Sequence, residues 1–183
     1  MKRMIKMAVT LLVFGFMLYM AVNPVWTEEP VTEAPLKFEI VFDKTTFNAD
    51  EHVLCKMILT NISKEPIRVN ERFLVNFESP SPHEVYFVIK NAKGIQLPFQ
   101  LRIRAGEPKL EDFTTLNPGE SIEKPNFMGF FDIKGYDLTE AYGLKEPGLY
   151  TIFAVYSNRA QAEGMKAWTG NLKSNTVKIT IKK

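Results

Sequence analysis

Cysteine and histidine are scarce in this sequence, whose 183 residues include one cysteine and two histidines. A single thiol excludes an intramolecular disulfide and any cysteine-based structural zinc site. The sequence also lacks a Gly-x-Ser-x-Gly nucleophile elbow and a glycine-rich phosphate loop. We therefore predict that the protein is not an enzyme and that it has no catalytic residue, no metal ligand and no cofactor.

A strong excess of one charge is lacking as well. The chain has 23 basic and 21 acidic residues, and setting aside Lys2, Arg3 and Lys6 leaves 20 basic residues, a net charge of −1. A nearly neutral domain has no electrostatic footprint for nucleic acid. We therefore predict no nucleic-acid partner.

The N-terminal segment is basic and then apolar. Its apolar run of 16 residues, 7–22, is shorter than the roughly 20 residues that span a bilayer, and Asn23-Pro24 stops a helix. Residues 1–26 are therefore expected to form a signal peptide or a membrane anchor, with a buried helix of a soluble protein as the remaining alternative.

The positive-inside rule directs the rest of the chain out of the cytoplasm, so we predict an extracytoplasmic protein: secreted, periplasmic or tethered to the membrane outer face. On this interpretation the N-terminal segment engages the membrane at least during export. Residues 27–35 are rich in Pro and Glu and predict an extended spacer. A folded domain is expected over residues 36–183.

Short segments of alternating apolar and polar residues follow the spacer. Period-two alternation predicts half-buried strands, and no helical stripe of ten or more residues follows residue 35. The predicted fold is therefore an all-β, immunoglobulin-like antiparallel β-sandwich, preceded by the N-terminal hydrophobic signal or anchor helix. The strands are expected at residues 36–42, 53–59, 67–73, 74–77, 85–89, 95–97, 101–104, 149–156 and 175–181.

Two Pro-Gly pairs are predicted to have structural roles. Pro118 presets φ at the second position of a turn, and Gly119 accepts the positive φ that a type II turn requires at the third. A second pair precedes the clearest strand, where Gly148 is followed by Tyr150. An immunoglobulin-type corner tyrosine at this point buries its ring and returns its hydroxyl to nearby backbone. The alternative is that Tyr150 is an ordinary strand aromatic.

Several motifs resemble those of known exported domains. Leu59-Thr60-Asn61-Ile62-Ser63 resembles a strand end of bacterial exported immunoglobulin-like domains. The segments at 104–120, 136–138 and 148–150 resemble the non-catalytic β domain that precedes the catalytic domain in deuterolysin-like (aspzincin) zinc peptidases. The final segment, 168–177, resembles the closing hairpin of such exported domains. The resemblance implies a free-standing accessory β-sandwich.

The sequence departs from those peptidases at the zinc motif. They carry a His-Glu-x-x-His helix, whereas His83-Glu84-Val85-Tyr86-Phe87 lacks the second histidine and lies in a strand pattern. Two histidines four residues apart on one helix face are what this zinc site needs. The resemblance therefore implies no peptidase activity.

Exposed aromatic residues and a stiff loop are the candidate binding surfaces. Phe127, Phe130 and Phe131 crowd one segment, and Trp168 follows in a polar loop. These side chains either bind a partner or roof the open ends of the core. Pro80 and Pro82 stiffen a second loop.

Other reactive groups are expected to be structural. Cys55 occupies an apolar position of a strand and is predicted to be buried and inert. Asn61-Ile62-Ser63 matches a glycosylation sequon but is interpreted as a side-chain-capped turn. Residues 132–140 are the best acidic candidate for calcium, although a solvated acidic loop is the simpler interpretation.

Three functional hypotheses follow. The first is a non-enzymatic accessory or binding domain that engages an unknown protein or cell-envelope component. The second is a secreted proteinase inhibitor that presents the Pro80–Pro82 loop. The third, a residual enzyme, would use scattered carboxylates such as Asp132 and Asp137.

Overall fold

The computed structural model describes residues 34–75, 84–101, 108–124, 136–159 and 166–183. Among them, strands dominate and the one α-helix has five residues, so the protein is all-β as predicted. The strands are β1 (Leu36–Val41), β2 (Thr46–Asn48), β3 (Leu54–Asn61), β4 (Ile67–Asn70), β5 (Val85–Asn91), β6 (Phe113–Leu116), β7 (Ser121–Lys124), β8 (Tyr136–Asp137), β9 (Gly148–Asn158), β10 (Gly170–Lys173) and β11 (Val177–Lys182). Helix α1 is Leu138–Tyr142, and a 3-10 turn covers Leu110–Asp112.

Two sheets supply one hydrophobic core. A four-stranded sheet has the order β1-β3-β7, with β8 paired to β3, and its pairings are antiparallel. A five-stranded sheet has the order β10-β9-β11-β2, with β5 on β9. Strands β4 and β6 form a separate antiparallel pair. Buried residues of both larger sheets, such as Met57 and Ile152, belong to the same apolar cluster.

The alternation read from the sequence is confirmed in the best-patterned strands. Val53, Cys55, Met57 and Leu59 are buried along β3 and the residue before it. Ile179 and Ile181 are buried on β11, while Lys178 and Lys182 on either side of them are exposed. A strand with one apolar face gains free energy only when that face is covered, which is why these residues define the inner surfaces of the sheets.

Strand β9 is the centre of the five-stranded sheet. Strand β5 pairs with it from Tyr150 to Tyr156, while β11 and β10 share its other edge. The register shifts by one residue between them: Lys173 lies opposite Val155, but Val177 lies opposite Ile152. Residues 174–176 are therefore three residues opposite two residues of β9, which is a β-bulge. The predicted closing hairpin over 168–177 is therefore wrong, since β10 and β11 run in one direction along the same neighbour.

Other strand predictions also need correction. Residues 95–97 form no strand, and only Gln96 makes an isolated bridge, to Lys90. Val75 likewise makes a single bridge, to Val85, where a strand over 74–77 was expected. At residues 95–97 the chain runs along the outer edge of β5 for too few residues to extend the sheet. Residues 76, 77 and 102–104 lie outside the described residues.

Candidate functional site

The residues predicted to shape the fold make the expected local contacts. The Tyr150 hydroxyl donates a hydrogen bond to the Glu146 carbonyl oxygen at 2.8 Å, and the ring is buried. Gly148 begins β9, and Ile152 is fully buried two residues after Tyr150. Gly119 has φ +80°, and the Glu120 amide donates to the Asn117 carbonyl oxygen at 2.9 Å, which closes the turn around Pro118.

Asn61 of the sequon is a structural residue. Its Nδ2 donates to the carbonyl oxygens of Glu65 and Leu116, both at 2.8 Å. Its Oδ1 accepts from the amide of Ser63 at 2.9 Å and from the Ser63 hydroxyl at 2.8 Å. Because the side chain is fully buried and both ends of its amide are bonded, the prediction of a side-chain-capped turn is confirmed.

Of the predicted binding-surface residues, only Trp168 can be placed. It is half-buried, and its ring stacks on Tyr156 with centroids 5.9 Å apart. Gly170 makes room for it, because a Cβ there would lie 2.8 Å from the Trp168 ring. Trp168 therefore packs over the core, as expected if the aromatic residues cover the open ends of the core. Phe127, Phe130, Phe131, Pro80, Pro82, His83 and Asp132 lie outside the described residues.

An aromatic cluster lies beneath Trp168. Phe73 contacts Tyr156 edge-on, with ring centroids 5.4 Å apart, and Phe38 lies within 6.1 Å of both rings. Phe73 has φ +48°, a left-handed conformation that is rare for a bulky residue. Burial of its ring in the cluster supports this strained backbone.

Beside this cluster, Arg72 and Glu84 form a buried ion pair, which we call the ionic clamp. The Arg72 guanidinium donates to Glu84 Oε1 from Nε at 2.9 Å and also from Nη2. Glu84 Oε2 accepts from the Leu74 amide at 2.9 Å. The Glu84 side chain is only 3% exposed, so its charge is stabilised by these donors rather than by water.

The ionic clamp joins the two chain segments on either side of residues 76–83. The Val85 amide donates to the Leu74 carbonyl oxygen at 3.0 Å, so the backbones meet at the same place. The Glu84 carbonyl oxygen accepts from the Ser157 amide of β9 at 2.8 Å. Asp112 approaches Arg72 at 3.7 Å and adds a second carboxylate. Both flanking segments are thereby fixed to the five-stranded sheet.

A second polar contact joins His52 to Asp137. His52 Nδ1 lies 2.6 Å from Asp137 Oδ2, and Asp137 Oδ1 accepts from the Thr139 amide at 2.8 Å as the N-cap of α1. The Asp137 side chain is 10% exposed, so the interpretation of a solvated acidic loop is wrong at this residue. Within the described ranges no three His, Cys, Asp or Glu side chains converge as metal ligands would.

Cys55 is buried as predicted. Burial raises the pKa of its thiol, because the thiolate would lose its hydration inside the core. The group therefore stays protonated at neutral pH and packs as a small apolar side chain.

Sequence reasoning missed the ionic clamp and the Asp137 cap. Arg72 and Glu84 each stand next to apolar residues at the edge of a strand pattern, which signals a charge that must be paired when buried. Asp137-Leu138-Thr139-Glu140 has the spacing of a helix-capping sequence. Both signals lie in the local sequence, but neither identifies the distant residue that the side chain contacts.

None of the helices in the described part of the chain has the length and apolarity needed to cross a bilayer. The chain matches no protein-family model, and no curated protein matches it.

Proposed function

We propose that the protein is a non-enzymatic, exported or membrane-tethered immunoglobulin-like domain that binds a protein or another cell-envelope component. The observation that carries this proposal is the ionic clamp. Binding residues occur disproportionately on loops that a rigid scaffold positions. The clamp fixes to the five-stranded sheet both flanks of residues 76–83, which the sequence predicts to be a stiff loop.

The strand order supports the immunoglobulin-like part of the proposal. In that fold one sheet contains the first, second and fifth strands, and the other contains the third, sixth and seventh. Here β1, β3 and β7 share one sheet, while β5, β9 and β11 share the other. The Tyr150 hydrogen bond to Glu146 is the contact of a corner tyrosine. A relationship to the accessory domain of deuterolysin-like peptidases remains part of this proposal.

The location is proposed from the N-terminal sequence. Lys2, Arg3 and Lys6 precede the apolar run, as in segments that direct a chain across a membrane. Fractionation of producing cells and mass spectrometry of the mature N-terminus would test this part. An intact N-terminus in the cytoplasmic fraction would refute export, whereas cleavage near residue 26, or an intact chain in the membrane fraction, would support it.

Binding is tested with a photo-crosslinking residue at one position of the full chain. We expect a crosslink to one envelope component from position 81, between the clamped flanks. Position 64, which is exposed in the turn after β3, is the matched control and should give no product. Equal products from the two positions, or none from either, would refute binding through this loop.

The ionic clamp also supports the alternative of a proteinase inhibitor, since inhibitors bind through a loop whose ends are held in place. We expect the full chain at micromolar concentration to slow one protease in a panel of serine, cysteine and metalloproteases. The double variant Pro80→Ala and Pro82→Ala should lose that inhibition, while Pro118→Ala should keep it. An absence of inhibition across the panel would dismiss this alternative.

A further inference from the structure

On the outward surface of the five-stranded sheet, the charged residues within the strands all have one sign. Lys90 and Lys178 lie opposite Thr151 on either side of β9, and Lys173 lies opposite Val155. Lys182 follows on β11 with the same orientation as Lys178, and all four lysines are exposed. Strands β2, β5, β9, β10 and β11 contain no Asp or Glu. We call this surface the lysine face.

Apolar side chains occupy the middle of the lysine face. Leu149 is 45% exposed, and Val88 and Phe153 lie opposite each other and are half-buried. The ammonium group of Lys173 lies 4.2 Å from the centroid of the Phe153 ring, a cation–π contact. The surface therefore combines a central apolar strip with lysines around it.

The spacing of the charges indicates the kind of partner. Lys90 and Lys178 are separated by two strand intervals, about 10 Å, so the charges are spread over a sheet surface instead of converging on one point. A partner that fits must offer many separate anionic groups in a plane, with apolar material just below them. Lysine side chains can extend to such groups while their methylenes and the neighbouring apolar residues approach the less polar layer.

From this arrangement we infer that the lysine face docks on the surface of a bilayer that contains anionic phospholipids. The inference rests on the proposed function in one respect, since an exported or tethered domain meets a membrane surface, and it names the face and the partner. Clusters of four or more basic residues near a membrane give this attraction in general. The outer surface of the four-stranded sheet, where Lys37 and Lys56 are paired with Glu39 and Glu123, provides an internal control.

The test uses the full chain and a polarity-sensitive dye on a single introduced cysteine. Cys55 is buried and does not compete for the thiol reagent. Thr151→Cys places the dye on the lysine face, and Thr60→Cys places it at a half-buried position on the outer surface of the other sheet. Both proteins are mixed with phosphatidylcholine vesicles that contain either no phosphatidylglycerol or 30% of it.

We expect a blue shift of the dye at position 151 only with phosphatidylglycerol, reversed by high salt. No shift is expected at position 60. The double variant Lys90→Gln and Lys178→Gln should weaken docking about 25-fold, a factor of about five for each lysine. The matched variant Lys37→Gln and Lys56→Gln should leave docking unchanged.

A shift that is equal on neutral vesicles, equal at both dye positions, or absent would overturn the inference. A second outcome would also overturn the inference in favour of a protein partner. In it, a photo-crosslinking residue at position 151 captures an acidic protein, and the dye at the same position gives no response to vesicles. The fractionation and crosslinking experiments at positions 64 and 81 report on the proposed function separately. Failed docking by an exported domain would therefore refute this inference alone.

Discussion

The two larger sheets share one core but differ in how they treat charge on their outer surfaces. On the four-stranded sheet Lys37 lies 2.9 Å from Glu39, and Lys56 lies 3.4 Å from Glu123 on the neighbouring strand. The five-stranded sheet has lysines and no acidic residue in its strands. The first surface contains its own counter-charges, whereas the strands of the second contain none.

The sheets are alike in how their outer edges are closed. At β1, the Asn175 side chain accepts from the Ile40 amide at 2.9 Å and donates to the Ile40 carbonyl oxygen at 3.1 Å. At β5, the Tyr142 hydroxyl accepts from the Phe87 amide at 3.2 Å and donates to its carbonyl oxygen at 3.3 Å. Each side chain thus makes the two hydrogen bonds that one residue of a further strand would make at that edge. Edge-to-edge association is blocked at these points, so recognition is expected at a face or a loop.

The largest expected effect is at the ionic clamp beside β5. Glu84→Gln should lower the free energy of unfolding by about 3 kcal/mol, because Arg72 would keep a largely buried charge without its main partner. Glu123→Gln breaks the exposed pair with Lys56 and should cost less than about 1 kcal/mol. Urea denaturation measures both, and equal losses would contradict the distinction between the two pairs.

Alkaline pH should destabilise the protein through its buried tyrosines. Burial raises the pKa of Tyr142 and Tyr156 in the folded protein above the ordinary value of about 10. The contribution of the two neutral hydroxyl groups to the free energy of unfolding is therefore complete below pH 10. Above pH 10 it is lost by about 1.4 kcal/mol per pH unit for each group. Urea midpoints at pH 8, 10 and 11 measure this, and Tyr142→Phe should reduce the slope. A midpoint that rises between pH 10 and 11 would contradict it.

Opening the β5 edge should have an intermediate effect. Tyr142→Phe removes the hydroxyl from a buried backbone and should cost about 2 kcal/mol. Hydrogen exchange should accelerate at the Phe87 amide. The Val88 amide, whose residue lies opposite Phe153, provides the comparison within the same strand. Unchanged protection at Phe87 would show that the hydroxyl does not close this edge.

Opening the β1 edge should cost less, because Asn175 is exposed and water can replace its amide. We expect Asn175→Ala to lower the free energy of unfolding by about 1 kcal/mol. Asn171→Ala, at an exposed position of β10, is the matched control and should change it by less than about 0.5 kcal/mol. Equal effects in thermal denaturation would remove the proposed importance of this bridge.

The smallest effects distinguish the outer surfaces themselves. Lys56→Gln should lose about 0.5 kcal/mol at low salt, because it breaks the contact with Glu123. Lys178→Gln should be neutral or slightly stabilising, since it relieves repulsion among lysines. Raising the salt concentration should bring the two variants together. A loss at Lys178 that matches the loss at Lys56 would indicate a counter-charge on the lysine face.

Sequence reasoning was sufficient where the information is local. The burial of Cys55 follows from its place in an alternating strand, and the roles of Tyr150 and Gly119 follow from their sequence neighbours. The same reasoning failed for β2, β6 and β7, which have only three or four residues and too few alternations to produce a pattern.

Contacts between distant residues could not be predicted in this way. Asn175 meets Ile40 across 135 positions, and Tyr142 meets Phe87 across 55. The error at 168–177 has a related cause. Ser174 and Asn175 are small polar residues typical of a turn, but the same residue types serve in a bulge. Only the pairing with β9 shows that these residues form a bulge and not a hairpin turn.

The parallel pairing of β2 with β11 determines when folding can finish. Thr46 lies beside Thr180, and Asn48 lies beside Lys182. Strand β2 therefore lacks its partner in this sheet until β11, which comes much later in the chain, is present. During synthesis, β2 has no partner in this sheet until residues 177–182 have left the ribosome. A pairing between segments this far apart in sequence is slow to form, because closing the long intervening chain costs entropy before the pairing stabilises it.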